Sequence, residues 1–302
     1  MLKEEFIVEN KYKKLRLDIF LTKKLNISRN KCYSFINSGL VLVNDKIIKK
    51  KSYILQENNL VKVNITEEKK SIFDILKPVN LNLKIIYEDQ YFVVIDKPLN
   101  LIVHPSSSYS GVTLINGLYY QIKDFSCSDI TRPGIIHRLD KNTTGLIIIG
   151  KTDESVRMMQ NLIQKRKVKR VYWALIYGQL SHEYGTINLP IKRNSSNYLK
   201  MEISPQGKSA ITHFRVLKKF STFSLLELKL DTGRTHQIRI HLSYLKHPIV
   251  GDCLYGPKNQ VISSQLLHSK KISFYHPFNN EEIRLEIDLS SHFKEFLSKI
   301  VY

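Results

Sequence analysis

Apolar residues recur at helical spacing near the start of the chain. Four apolar side chains share one face of a helix over residues 16–25. A second short helix begins near Ser28, a residue type that caps helices, and ends at Gly39. Two short apolar runs then flank Asn44-Asp45, a dipeptide suited to a tight turn. The pattern predicts a helical hairpin followed by a β-hairpin.

Further along the chain the pattern changes to strands that are interrupted irregularly by helices. Residues 83–95 predict two strands joined at a polar turn, and residues 146–149 and 223–230 predict buried strands. Helical periodicity covers residues 111–120 and 153–165. This irregular order favours an α+β fold with a mixed, largely antiparallel sheet over a regular βαβ winding.

A stretch of mixed charge without clear periodicity, residues 66–78, separates the two patterns and ends at Pro78. We interpret it as a linker between a domain of residues 10–65 and a domain of residues 79–302. No apolar run approaches 18 residues, and the first residues lack the apolar core of a signal peptide. We therefore expect neither a membrane span nor secretion.

The charge balance points to a polyanionic partner. The chain has 47 Lys and Arg against 27 Asp and Glu, a formal net charge of +20. Residues 1–70 hold 16 basic and 8 acidic side chains, a net charge of +8, so per residue they are the more basic part. Nucleic acid is the commonest partner of such a chain, although a generally basic solvated surface would give the same balance.

Cysteine and histidine spacing offers no site for a metal. Cys32, Cys127 and Cys253 lie far apart, which argues against disulfides and structural zinc and suits the cytoplasm. His236 and His241 are five residues apart and would point to different sides of a helix. We expect no metal, and the absence of a glycine-rich phosphate loop predicts no cofactor.

The most polar loop of the second domain lies within residues 132–151 and contains a candidate reactive carboxylate. Asp140 stands between Arg138 and Lys141, so it should stay ionised and could act as a nucleophile or base. It could equally cap a turn or pair with Arg138. The spacing alone favours this structural role.

The run HRLDKNTTG, residues 137–145, resembles the signature of the RluA/RluD family of pseudouridine synthases. The resemblance implies that Asp140 is catalytic and that Arg138 fills the space left by a base turned out of the RNA. His137 belongs to the same run and is assigned to RNA binding. Thr144 stands where the family commonly has Ser, and both carry a hydroxyl group.

Three further segments match the family in the same order. The resemblance implies that Tyr172, in KRVYWALIYG, lies beside the target base, although a core tyrosine would fit the pattern too. It implies that Arg234, in GRTHQIR, is the ion-pair partner of the catalytic Asp, with a surface phosphate contact as the competing role. Arg239 in that run is assigned to phosphate binding or structure, and His104 to the RNA cleft.

The N-terminal segment resembles the S4 RNA-binding domain. The matching pieces are Arg16-Leu17-Asp18, Ser28-Arg29 and the run of residues 39–44. Asp45 and Asn58 replace residues that are usually glycine, but both tolerate a left-handed backbone. The resemblance implies binding of structured RNA. Its candidate RNA-contacting residues are Arg16, Arg29, Lys31, Lys49, Lys50 and Lys51.

Together these resemblances imply an enzyme that isomerises uridine to pseudouridine in RNA. The segments around the motif look most like the RluD branch, which modifies large-subunit ribosomal RNA, and a monomer is expected. Two other functions stay open. One is a non-catalytic S4-type RNA-binding protein, and the other is a glycosidic-bond hydrolase with two carboxylates. The candidates for its second carboxylate are Asp96, Asp231 and Glu227.

Overall fold

The computed structural model describes residues 2–25, 29–65, 77–105, 109, 111–129 and 132–300. The chain divides into two units, Met1–Ser71 and Ile72–Tyr302. Ser28 and most of the predicted linker, residues 66–76, lie outside the described residues, as do the side chains of Arg29 and Lys31. Among the helices described, none is long and apolar enough to cross a membrane.

The smaller unit packs two helices against a four-stranded sheet of order β1-β4-β2-β3. A buried apolar cluster that includes Phe20, Cys32 and Val63 joins the two layers. Asn44 and Asp45 have positive φ angles of 49° and 62°, which confirms the predicted turn. Its elements are β1 (Leu2–Ile7), a 3-10 turn (Asn10–Tyr12), α1 (Leu17–Leu25), α2 (Arg29–Asn37), β2 (Val41–Val43), β3 (Lys46–Ile47) and β4 (Leu60–Ile65).

Strand β1 lies before the predicted start of the domain at residue 10. It pairs antiparallel with β4 along its whole length, from Leu2 opposite Ile65 to Ile7 opposite Leu60. The sequence LKEEFI carries three charges in six residues, so its alternation is weak. Its pairing with β4 places it within the smaller unit.

The larger unit is built on a nine-stranded sheet. The strands follow the order β5-β6-β7-β14-β8-β13-β12-β9, with β15 paired to β14. Among the described strands of this sheet only β7 and β14 pair in parallel, so the predicted mixed, largely antiparallel sheet is confirmed. The elements are β5 (Lys84–Glu88), β6 (Phe92–Lys97), α3 (Leu114–Gln121), β7 (Thr144–Gly150), α4 (Asp153–Gln164), β8 (Lys169–Tyr177), β9 (Tyr184–Asn188), β10 (Ile191–Arg193), β11 (Met201–Ile203), β12 (Ile211–Lys219), β13 (Phe223–Leu230), α5 (Gln237–Tyr244), β14 (Leu267–Tyr275), β15 (Glu282–Glu286) and α6 (Ser291–Ile300).

Strand β7, which lies between β6 and β14, is buried along its full length. A strand covered on both faces needs a nearly continuous apolar run, and TGLIIIG supplies one. Its first residues approach β14 closely. Gly145 has a φ of +102°, and a Cβ atom there would lie 2.4 Å from the carbonyl oxygen of Ser269. The parallel pairing of β7 with β14 therefore requires glycine at this position.

The two faces of the sheet carry separate clusters of side chains. Tyr172 packs with Ile147 and with Ile238 of α5 on one face. Trp173 packs in another cluster, with Leu175 and Phe293. The expectation that Tyr172 and Trp173 face opposite sides of β8 is confirmed. The face that carries Tyr172 and α5 is the face on which the polar loop before β7 ends.

Replacing Gly145 with Ala should destabilise the larger unit by about 2 to 5 kcal/mol, the sum of a left-handed backbone cost and overpacking. Chemical denaturation with a probe in this unit measures the change. Gly111→Ala is the matched control, because its added Cβ would meet only the movable ring of Tyr109. Equal unfolding free energies for the two variants would contradict the prediction, because they would show that β7 and β14 can move apart at Gly145 without loss of stability.

Candidate active site

The loop that carries Asp140 is fastened to the sheet by polar contacts on either side of that residue. The buried Lys97 ammonium donates hydrogen bonds to the carbonyl oxygens of Lys141, Pro98 and Leu101 at 3.1, 2.7 and 2.9 Å. The Thr143 amide donates to the Asp140 carbonyl at 3.1 Å. Burial lowers the pKa of Lys97 to about 7, with Asp140 and Asp96 opposing the shift. In the ammonium form these contacts use all three protons and fix the loop backbone.

His137, at the start of the same loop, faces β7. Its Nε2 atom accepts a hydrogen bond from the Ile148 amide at 3.0 Å. Burial lowers the pKa of His137 to about 3, and the nearby Arg170 guanidinium acts in the same direction. His137 is therefore a neutral acceptor that ties the loop to the strand.

The Asp140 carboxylate is paired with Arg239, which reaches it from the first turns of α5. Arg239 Nη1 donates to Asp140 Oδ2 at 2.8 Å. The other edge of the guanidinium donates from Nε and Nη2 to the two oxygens of Asp252 at 2.7 and 2.8 Å. Asp252 is fully buried, whereas 17% of the Asp140 side chain is exposed. Arg239 therefore bridges a structural carboxylate and one that is open to a cavity.

The expectation that Arg234 is the ion-pair partner of Asp140 is wrong. Arg234 precedes α5, is exposed, and donates from Nε to the Ser209 carbonyl oxygen at 3.1 Å. Arg239 lies in the first turn of the helix on its buried side, which also carries Ile238 and Leu242. The buried side of α5 therefore presents Arg239, and not Arg234, to the loop before β7.

His236 and Tyr255 form a second contact to the Asp140 carboxylate. His236 Nε2 lies 3.8 Å from Asp140 Oδ1, and its Nδ1 lies 2.8 Å from the Tyr255 hydroxyl. That hydroxyl accepts a hydrogen bond from the Met201 amide at 2.7 Å. Burial lowers the pKa of His236, and the facing Asp140 carboxylate opposes that shift. In the tautomer in which Tyr255 donates to Nδ1, the Nε2 proton faces Asp140.

These neighbours keep Asp140 ionised. Burial by itself would raise the pKa of the Asp140 carboxyl, but the neighbouring His236 and Arg239 groups more than offset it. The resulting pKa lies below its ordinary value. An ionised carboxylate that is partly open to a cavity can act as a nucleophile or as a base.

A cavity of about 630 Å³ brings most of the predicted site residues together. Asp140, Tyr172, Arg138, His137 and Arg234 all line it. Tyr172 is 5% exposed, and burial raises the pKa of its phenol, so the hydroxyl stays protonated. The cavity therefore offers an ionised carboxylate and a neutral aromatic ring on the same face of the sheet.

His104 lies beside this cavity rather than in it. It lines a neighbouring cavity of about 760 Å³, which shares His137 and Arg138 with the first. Burial lowers the pKa of His104 to about 4, with Arg138 contributing in the same direction. The structure therefore places His104 next to the candidate RNA cleft, as a neutral ring.

Sequence reasoning missed several residues that shape the site. These residues are Lys97, Asp252 and Tyr255, and no motif in the sequence predicts a place in the site for them. An aspartate after the apolar run of residues 248–251 is a signal that could have indicated a buried ion pair. Its partner could not be named without knowing where α5 lies.

Of the three alternative carboxylates, Asp231 alone lines the cavity. It is paired with Arg166 and with His213, each at 3.3 Å. Asp96 pairs with Lys84 at 3.6 Å and Glu227 with Arg215 at 3.2 Å. In the described part of the chain no group of three His, Cys, Asp or Glu side chains could hold a metal ion.

In the smaller unit the candidate RNA-binding residues differ in their contacts. Arg16 is engaged with Asp18 through two hydrogen bonds of 3.0 Å. Lys49, Lys50 and Lys51 are exposed, and the Lys51 ammonium lies 4.7 Å from the centre of the Tyr33 ring. The three consecutive lysines therefore form a cluster of exposed cations in the described part of this unit.

The fold and the site define an enzyme of the pseudouridine synthase class, with an ionised Asp beside a Tyr on a mixed sheet. The family model described as RNA pseudouridylate synthase matches residues 91–244, and the S4 domain model matches residues 15–61. This chain belongs to the RNA pseudouridylate synthase family, whose members isomerise uridine to pseudouridine in RNA.

Individual relatives agree over most of the chain. An uncharacterized RNA pseudouridine synthase of Synechocystis is 37% identical over 94% of this chain and 88% of its own length. The ribosomal large subunit pseudouridine synthase D of Vibrio cholerae is 34% identical over 85% of this chain and 82% of its own length. The structure of human RNA pseudouridylate synthase domain containing 1 is 25% identical, with a TM-score of 0.56, and matches 73% of this chain and 95% of that one.

The two arginines of the GRTHQIR run should differ sharply in their effect on stability. Arg239→Met leaves the buried Asp252 without its charged partner and should cost about 3 to 5 kcal/mol of unfolding free energy. Arg234→Met removes an exposed side chain and should change stability by less than about 0.5 kcal/mol. Urea denaturation of both variants measures this. A larger loss for Arg234→Met would contradict the arrangement of the ion pairs.

Proposed function

We propose that the protein isomerises uridines in large-subunit ribosomal RNA, and that Asp140 is the nucleophile or base that starts the reaction. The observation that carries this proposal is the Asp140 carboxylate, held ionised by Arg239 and partly open to the cavity that Tyr172 lines. The named activity of the Vibrio cholerae relative supports the ribosomal target.

The reaction breaks the bond between N1 of uracil and C1′ of ribose and forms a bond from C5 to the same C1′. The proton leaves C5, and N1 gains one, so nothing is added or removed and no cofactor is required. Asp140 attacks or deprotonates to begin the cleavage, while Arg239 fixes its orientation and keeps it charged. Tyr172 stacks on the uracil and keeps it beside the sugar while it turns.

The target uridine has to leave its stack to reach this cavity, at a cost of a few kcal/mol. Arg138 is exposed and adjoins Asp140, so its planar cationic side chain can occupy the vacated place in the RNA. His137 and His104 line the shared wall beside it. Arg234, exposed at the cavity and not paired with Asp140, is suited to an RNA phosphate.

Replacing Asp140 with Asn should lower the rate of pseudouridine formation by more than about 10³-fold, because the amide is neither a nucleophile nor a base. The protein is incubated with ribosomal RNA from a strain that lacks it, and new pseudouridines are mapped. Wild type should add pseudouridines to large-subunit RNA.

Asp231→Asn is the matched control, since it alters the other cavity carboxylate, and we expect it to leave the map unchanged. Identical maps for wild type and the Asp140 variant would reject the catalytic role of this residue. Loss of activity in both variants would favour chemistry with two carboxylates. New pseudouridines in small-subunit RNA alone would reject the proposed target.

The smaller unit, on this proposal, anchors structured RNA through its exposed lysines. Lys49, Lys50 and Lys51 are consecutive and exposed, and none forms an ion pair among the described residues. Several other lysines of the unit are paired with carboxylates, as Lys62 is with Asp45 at 2.7 Å. Unpaired cations release more counterions when they meet phosphate.

Changing Lys49, Lys50 and Lys51 together to Gln should weaken RNA binding and reduce the slope of log affinity against log salt by about 2 to 3. Filter binding to large-subunit RNA between low and moderate salt measures the slope. The charge-matched control changes three lysines that have acidic partners, which are Lys11, Lys13 and Lys62. An equal or larger slope change in the control would show that net charge, not this cluster, binds the RNA.

A further inference from the structure

Arg170 is a buried arginine without a counter-charge. It lies on β8, is 4% exposed, and its Nε atom has no hydrogen-bond partner. Within the described part of the chain no carboxylate forms an ion pair with it. Asp231, which lines the same cavity, is paired with Arg166 and His213 instead.

A buried guanidinium in this state is costly. Removing a charge from water is compensated in proteins by an ion pair or by a full set of hydrogen bonds. Arg239 shows the compensated case in the same cavity, since three of its nitrogen atoms donate to two carboxylates. Arg170 has no such set, so the free protein keeps an unsatisfied cation in its cleft.

Arg170 lies close to Tyr172, the residue proposed to stack on the uracil. Residues two apart on a strand share a face and lie roughly 7 Å apart, so Arg170 is one step along β8 from Tyr172. Both line the cavity. The loop at Gly233 covers the guanidinium, because a Cβ there would lie 2.8 Å from Arg170 Nη1. The loop and the strand hold the cation at one end of the cavity.

We propose that Arg170 binds the phosphodiester group of the uridine that enters the cavity, or of its immediate neighbour in the RNA. A phosphate supplies the negative charge that the site lacks and accepts two parallel hydrogen bonds from a guanidinium. Arg170 then completes its bonding only when RNA is bound, and it selects a nucleotide within a chain over a free nucleoside. The proposal rests on the RNA substrate of the proposed function, not on the chemistry of Asp140.

The test compares Arg170→Met and Arg170→Lys with the wild-type full chain. Binding to an unmodified large-subunit RNA transcript is measured across a series of potassium chloride concentrations, and the melting temperature is measured without RNA. Arg170→Met should reduce the salt slope by about 0.7 to 0.9, the effect of one phosphate contact. Its melting temperature should equal or exceed that of wild type, because an uncompensated buried charge is replaced by an apolar side chain of similar length.

Arg170→Lys should keep the slope, since the charge remains, but bind more weakly because the paired donors are lost. Arg284→Met is the control, as Arg284 is an exposed arginine on β15 outside the cavity, and it should leave both measurements unchanged. A salt slope for Arg170→Met equal to that of wild type overturns the proposal. A weaker affinity with an unchanged slope also overturns it, because the contact is then with an uncharged group of the nucleotide.

The outcome is separable from that of the proposed function. A reduced slope in Arg170→Met supports the phosphate site even where no new pseudouridine is mapped. An unchanged slope beside a positive map removes Arg170 and leaves the synthase activity in place. A lower melting temperature together with an unchanged slope identifies Arg170 as a structural residue and rejects its role in binding.

Discussion

The site depends on the ion pairs of the Arg239 guanidinium, because they join two carboxylates that come from different parts of the chain. Asp252 takes one edge of the guanidinium in a paired contact, and Asp140 takes the remaining nitrogen. Since Asp252 is fully buried, it fixes the arginine, and the arginine in turn fixes Asp140. The candidate nucleophile is therefore oriented through Arg239 by a buried carboxylate that does not line the cavity.

The same arrangement depends on how closely the central strands approach. Gly145 ends the loop that carries Asp140 and lies against the backbone of Ser269 in β14. Lys97 at the end of β6 holds the carbonyl oxygen of Lys141. The loop is thus fastened after Asp140 by these two contacts and before it by the His137 side chain, which accepts from the Ile148 amide of β7. Arg239 can therefore place the carboxylate without the loop having to order on substrate binding.

The sequence predicts those elements whose residue pattern is set by local turn chemistry and periodicity. It does not predict elements whose burial is set by the surrounding sheet. The turn at Asn44-Asp45, the helix of α4 and the strand β13 follow from turn chemistry and periodicity, and the structure has them. Strand β14 has no such pattern, because LHSKKISFY puts His268, Ser269 and Lys270 at buried positions in the middle of the sheet. Only the finished sheet shows that these polar residues are inside.

The choice between Arg234 and Arg239 failed for a related reason. Five residues separate them in one run, and either fits a cationic partner of Asp140 by type and by spacing along the chain. What distinguishes them is the direction in which α5 presents its buried side, and that direction is set by packing of Ile238 and Leu242 against the sheet.

The arginines of the cavity differ in burial and in charge compensation, and these differences indicate different roles. Arg239 is buried and fully paired, so it orients the Asp140 carboxylate, whereas Arg138 and Arg234 are exposed at the cavity. Arg170 is as deeply buried as Arg239, yet it has no counter-charge among the described residues. A fold that needed only a filled position there would be more stable with an apolar side chain, so the unsatisfied cation is best explained by an anion that arrives with the substrate.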